Sequence, residues 1–256
     1  MGDLTGRTAV VTGSSRGIGR SIAHRLAADG ALVAVHSGTD TTGLDETVAS
    51  IRKAGGRAFP VVAQLGVPDD AATLVSALHA GLEQHGDRSE LDILVNNAGV
   101  LATMPPEMVT PAEFDRVMAI NAKAPFFIVQ HALPMLARGG RIINISTGLT
   151  RFANPQEIAH AMAKAALEMI TLHLARHLGP RGITVNTVAP GVVDNGDPFL
   201  QAPELRRMLG GLSAFDRIGE PDDIADIVAF LAATDGRWIT GAWIDATGGT
   251  LLGAGI

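Results

Sequence analysis

The stretch Thr12-Gly13-Ser14-Ser15-Arg16-Gly17-Ile18-Gly19 directly follows a short apolar run, Thr8–Val11, and opens a segment of helical spacing from Gly17 to Asp29. A strand, a glycine-rich turn and a helix in that order have a physical use. Glycines let the backbone turn tightly and come close to a pyrophosphate, and the free N–H groups of a helix N-terminus attract its charge. A glycine pattern alone says little, but this one has the strand before it and the helix after it. It predicts a dinucleotide-binding turn.

Outward from that turn, short β-rich runs alternate with longer helical stretches. Strands are expected at Thr8–Val11, Ala31–Val35, Ala58–Val62, Ile93–Asn96, Arg141–Ile145, Thr184–Val188 and Trp243–Asp245. Helices are expected near Gly17–Asp29, Gly43–Ala54, Asp69–His85, Pro111–Ala137, Pro155–Leu178 and Pro221–Ala233. Most of the strands are continuous apolar runs without polar alternation, the mark of a parallel sheet buried on both faces. The fold class is therefore α/β, a Rossmann-like, doubly wound parallel sheet of about seven strands, with ligands held outside the carboxyl ends of the strands. No linker, charge block or repeat divides residues 1–256, so one domain is expected.

Composition narrows the partners. The net charge is −6, which gives no electrostatic basis for binding nucleic acid or an anionic membrane. There is no cysteine, which excludes disulfides, thiolate metal sites and a cysteine nucleophile. No basic segment followed by an apolar one stands near the start, and no apolar run reaches about 18 residues. A cytoplasmic location is expected. The chain also contains no tyrosine.

The form T-G-x-x-x-G-I-G, read at Thr12 to Gly19, resembles the short-chain dehydrogenase/reductase family, and in particular its 3-oxoacyl-ACP-reductase-like members. Asn96-Asn97-Ala98-Gly99, Asn121, Pro190-Gly191, Arg217, Gly219-Glu220-Pro221 and Gly248-Gly249 extend the likeness over nearly the whole chain. The resemblance implies a nicotinamide cofactor and a small-molecule substrate. It places Ser37 where an NAD enzyme carries an acid that would repel a 2′-phosphate, so NADPH is expected over NADH. Arg16 can offer a planar fork to that phosphate, while Asp40 weakens the case slightly. Gln64 stands where the family has an acid for the adenine amino group, followed by Leu65. The cofactor contacts carried over are Gly13, Ser15, Arg16, Gly17, Ile18, Ser37, Gln64, Leu65, Asn97, Ala98, Gly99, Lys164, Pro190, Gly191, Val192 and Asn195. The last replaces a threonine. The resemblance also implies a homotetramer or homodimer, formed through the helices that carry Asn121 and Lys164.

Members of the family usually work with Asn, Ser, Tyr and Lys, the last two four residues apart on one helix. Here the corresponding residues are Asn121, Thr147, His160 and Lys164. Thr147 keeps a hydroxyl for orienting substrate. Its neighbour Ser146 ranks second, because adjacent strand residues point to opposite faces. His160 and Lys164 share a helix face. An imidazole titrates near 6.5 against about 10 for tyrosine, and a nearby ammonium lowers it further, so His160 is mostly neutral at neutral pH. Three readings follow. His160 is a working acid that borrows a proton through Lys164 and water; or the substrate is an iminium that needs no strong acid; or hydride transfer is gone and a binding or non-redox protein remains. The leading reading is an NADPH-dependent reduction of a C=O or C=N bond.

His173 and His177 share the i, i+4 spacing of metal ligands, but no third ligand is evident and no metal is expected. Glu157, Asp194 and Asp197 could touch substrate, though a solvated acid is the plainer reading of each. The apolar segment 194–216 reads equally as a mobile lid or as a peripheral helical excursion. Met162 reads as packing.

Overall fold

The computed structural model describes residues 2–196, 200 and 202–253. Seven strands form one sheet: β1 (Thr8–Val11), β2 (Leu32–Ser37), β3 (Arg57–Val62), β4 (Leu91–Asn96), β5 (Leu136–Ile145), β6 (Thr184–Pro190) and β7 (Trp243–Ala246). Their order is β3-β2-β1-β4-β5-β6-β7, and every pairing is parallel. The chain winds outward from β1 in one direction and then from β4 in the other. That switch opens a crevice at the carboxyl ends of β1 and β4.

Helices cover both faces: α1 (Gly17–Ala28), α2 (Thr41–Lys53), α3 (Asp70–His85), α4 (Pro111–Met118), α5 (Ala124–Ala132), α6 (Ile158–Leu178), α7 (Pro203–Gly210) and α8 (Pro221–Ala232). Strands β1, β2, β4 and β6 are buried along their whole length, as the unbroken apolar runs require. Alternation splits the core in two. Ala9 and Val11 join Ile22, Leu26, Val228 and Leu231 on one face. Val10 joins Leu74, Leu78 and Ile128 on the other.

Two expectations are corrected. The helix expected over Pro111–Ala137 is two helices joined by a π-turn, Ala119–Lys123, and it ends at Ala132. The strand expected to begin at Arg141 begins at Leu136, and its register then jumps from Leu91↔Leu136 to Ile93↔Arg141. Residues 137–140 are spent on that excursion, in which Gly139 takes φ +73°. Short π-turns inside helices concentrate at functional sites. This one contains Asn121.

Within the segment 194–216 the described residues include α7 and exposed Met208, Leu212 and Phe215. Asp197 lies outside the described residues. Among the described residues no helix is long and apolar enough to cross a membrane.

Candidate active site

The turn after β1 is held from behind. Gly13 and Gly17 adopt φ +64° and +55°, open only to glycine without strain. Thr12 Oγ1 accepts the N–H groups of Asn97 and Ala98, each at 3.0 Å, and ties the end of β1 to the end of β4. Asn97 Nδ2 donates to the carbonyls of Thr12 and Gly13, so its side chain shapes the turn and does not reach into the crevice. Contact is close throughout: a Cβ on Gly13 would lie 2.8 Å from Ala98 Cα. His36, at the end of β2, accepts the Gly13 N–H at Nδ1 (3.1 Å), and its Nε2–H donates to Ala63 O (2.8 Å). Its backbone exchanges two further bonds with Ser14. Burial holds His36 below the usual imidazole pKa, so it stays neutral.

The front of the turn is left for a ligand. No side chain caps the N-terminus of α1. Among the described residues, the N–H groups of Ser15, Arg16, Gly17 and Ile18 donate to no protein acceptor. Four unspent donors at a helix start suit a pyrophosphate. Arg16 is exposed beside them. Ser37 is buried, its Oγ accepting the Asp40 N–H at 3.1 Å. Asp40 caps α2 through Gly43 N at 2.9 Å. That bond, Ser15, and the Arg16 and Arg20 guanidiniums keep its carboxyl below the usual range. Its charge is thus spent on the helix and the neighbouring arginines. Arg20 also donates to Ser15 O and Thr47 Oγ1, fastening the turn to α2.

The remaining candidates border the same crevice. Gln64 and Leu65 follow β3, the glutamine exposed. Pro190 ends β6, and Gly191 and Val192 follow; a Cβ on Gly191 would meet Thr247 O at 2.9 Å. Asn195 packs on the turn, 3.4 Å from where a Cβ on Gly17 would stand.

The four catalytic candidates belong to one region around the ends of β4 and β5. Asn121 is fully buried and grips Val100: its Oδ1 accepts the Val100 N–H and its Nδ2 donates to the Val100 carbonyl, both at 2.8 Å. His160 Nδ1 lies 3.0 Å from the same carbonyl and 3.3 Å from Asn121 Nδ2. One turn along α6, Lys164 Nζ donates to Ile145 O at 2.7 Å, two residues before Thr147. Gly99 admits both partners, since a Cβ there would lie 3.2 Å from Asn121 Oδ1 and 3.4 Å from Lys164 Nζ. Thr147 starts the short turn Gly148–Thr150 and accepts the Leu149 N–H at 3.3 Å. Ser146 is turned away, donating to Glu168 Oε1 at 2.7 Å.

Electrostatics set the two titrating groups. Burial, then the Lys164 charge, push His160 from 6.5 down to about 4. Burial lowers Lys164 from 10.5 to about 8. At neutral pH the pair is a neutral imidazole and an ammonium.

Sequence reasoning missed Glu168. Its Oε1 accepts from Ser146 Oγ, Thr150 Oγ1 and Trp243 Nε1 at 2.7–2.8 Å. It locks α6 to the turn carrying Thr147 and to β7. An acid one turn beyond Lys164 was the available signal. Glu157 is corrected as well: it is buried, not solvated, with Oε1 accepting from Thr103 Oγ1 at 2.6 Å. Asp194 pairs with Arg206 of α7. His173 and His177 are exposed on α6.

Residues 13–250 match the family described as Enoyl-(Acyl carrier protein) reductase. An uncharacterized oxidoreductase of Methylorubrum extorquens is 41% identical, covering 97% of this chain and 99% of its own. The solved structure of the angucycline C-6 ketoreductase LanV with bound NADP is 60% identical with a TM-score of 0.96, covering 98% of both chains. A second LanV structure holds NADP and rabelomycin. LugOII, a promiscuous reductase that catalyses keto-reduction at C1 during lugdunomycin biosynthesis, is 56% identical with a TM-score of 0.96, covering 98% of this chain and 100% of its own. With the parallel sheet, the glycine turn and these matches together, the chain belongs to the short-chain dehydrogenase/reductase family.

Proposed function

We propose that this protein is an NADPH-dependent ketoreductase acting on a polycyclic aromatic ketone. The unspent N–H donors of Ser15 to Ile18, beside Lys164 and Asn121 at the switch point, carry that reading. The NADP bound to LanV supports it. NADPH, when bound, supplies the hydride. Ser15, Arg16, Gly17 and Ile18 would hold its pyrophosphate and 2′-phosphate. Ser37 admits that phosphate because it brings no competing charge. Gln64 and Leu65 would border the adenine, and Ala98, Gly99, Pro190, Gly191, Val192 and Asn195 the rest of the crevice. Asn97 serves from behind the turn.

His160 stands in the place of the family tyrosine. Held near pKa 4, it is a neutral imidazole at neutral pH and offers no imidazolium proton. Thr147, whose hydroxyl hydrogen has no acceptor among the described residues, orients the substrate oxygen. Lys164, at about 8, is the group whose ammonium remains as a proton source. Segment 194–216, with its exposed Met208, Leu212 and Phe215, would close over an apolar substrate. A homodimer or homotetramer through α5 and α6 would cover Phe126, Ile158, Met162, Met169 and Leu172, which line their exposed faces. A cytoplasmic location is part of the same proposal.

The test is loss of NADPH absorbance on adding rabelomycin. Steady consumption supports the reductase; none with rabelomycin or with any ketone or cyclic imine, while NADPH still binds, leaves a non-redox binding protein. The depressed His160 favours that second reading if it survives the assay.

A further inference from the structure

His160 has its tautomer fixed by its neighbours. Nδ1 is 3.0 Å from Val100 O and 3.3 Å from Asn121 Nδ2. A carbonyl oxygen can only accept a hydrogen. Had Nδ1 no proton, its lone pair would face that oxygen across the shorter of the two distances. With a proton, it makes a hydrogen bond there, and Val100 O has a second lone pair for Asn121 Nδ2. The proton therefore sits on Nδ1, and Nε2 keeps its lone pair.

Nε2 has no partner among the described residues. His160 keeps 7% of its surface exposed, and Nε2 lies across the ring from the Nδ1 that faces Val100. Burial and the Lys164 charge keep a second proton off it at neutral pH. Where a tyrosine would present a hydrogen, this chain presents an acceptor. Thr147, two residues beyond the carbonyl that holds Lys164, presents a hydroxyl hydrogen. One donor and one acceptor suit a ligand that brings a hydroxyl of its own.

We infer that His160 Nε2 accepts a hydrogen bond from a substrate hydroxyl, so that the site selects aromatic ketones bearing a phenol or enol O–H over ketones without one. This rests on the ketoreductase reading, and it assigns His160 to recognition of the substrate. An imidazole nitrogen covered by an apolar substrate without a donor loses its water and gains nothing in return. The discrimination expected is about tenfold to a hundredfold.

The experiment uses the full-length protein saturated with NADP⁺, with 1-naphthol and 1-methoxynaphthalene as probes in titration calorimetry. Naphthol should bind at least tenfold tighter than its methyl ether to wild type, and the two should bind alike to His160→Phe. In protein carrying ¹⁵N-histidine, the Nε2 resonance should be that of an unprotonated nitrogen and should move with naphthol but not with the ether. Equal binding of the two probes to wild type, binding of neither, or an Nε2 already protonated in the free protein overturns the inference. Turnover separates it from the reading beneath it. A naphthol preference without NADPH consumption on any hydroxylated ketone sinks the reductase and leaves the hydroxyl contact standing. Equal turnover of a hydroxylated ketone and its methyl ether keeps the reductase and sinks the hydroxyl contact.

Discussion

Asn121 satisfies both backbone groups of Val100 with one amide, accepting its N–H and donating to its carbonyl at 2.8 Å each. The π-turn places the amide there, and Val100 O in turn holds His160. Asn121→Leu keeps the volume and removes both bonds. Leaving buried polar groups unpaired should cost about 1–3 kcal/mol, read by urea unfolding. Turnover should fall while NADPH affinity holds. An unchanged unfolding midpoint and rate would show that Val100 is held by other means.

Lys164 makes a pH signature of its own. Its folded pKa of about 8 lies below its ordinary 10.5. Between those values the unfolded chain keeps a proton that the folded one has lost, so stability rises with pH there. Lys164→Met should flatten that rise in unfolding curves taken across the window, and weaken NADPH binding. A slope identical to wild type would place the ammonium in contact with water.

His160 obeys the same sign. Its folded value of about 4 lies below 6.5, so its share of stability is full above 6.5 and fades as pH falls toward 4. The rate should therefore show no break near 6.5. A wild-type profile that drops as pH rises through 6.5 would make His160 the acid after all.

His160→Tyr restores a hydrogen donor beside Lys164. Activity on simple ketones should appear or rise, since general acid catalysis contributes about 10²–10⁴-fold. Both proteins should be assayed with 1-tetralone, and a variant that folds, binds NADPH and still leaves 1-tetralone untouched would refute the idea.

Cofactor choice tests the exposed arm of the turn. Arg16→Ala should narrow the gap between NADPH and NADH, a charge-assisted contact being worth about 1.5–3 kcal/mol. Ser37→Asp should reverse the preference by placing a charge against the 2′-phosphate. Calorimetry with both dinucleotides decides it, and equal affinity in wild type would remove the argument.

The sheet was legible because its strands are unbroken apolar runs, and the turn because glycine spacing carries backbone geometry directly. The π-turn left no trace: Ala119–Lys123 continues the helical apolar spacing, and one extra residue per turn changes no composition. The start of β5 was hidden for the opposite reason, as Gly139 and Gly140 read as a loop although Leu136 already pairs with Leu91. Asn121, His160 and Lys164 were legible through the likeness to the family's catalytic residues. Glu168 showed only as an acid one turn beyond Lys164, and its value lies in three donors distant in sequence. His36 lies one residue past the expected strand Ala31–Val35 and carried no signal, since its partner Gly13 lies 23 positions away.

That histidine has a kinetic consequence. Gly13 and Ser14 already have their amide hydrogens bound to His36 before any dinucleotide arrives. The turn is fastened just before the donors that would meet the phosphates, so association should need little ordering of the loop and its rate should be left to diffusion and charge. Differences in affinity among dinucleotides then appear as residence times. In hydrogen exchange the amides of Gly13 and Ser14 should be slow from the outset, and those of Arg16 to Ile18 should become slow only while a ligand stays.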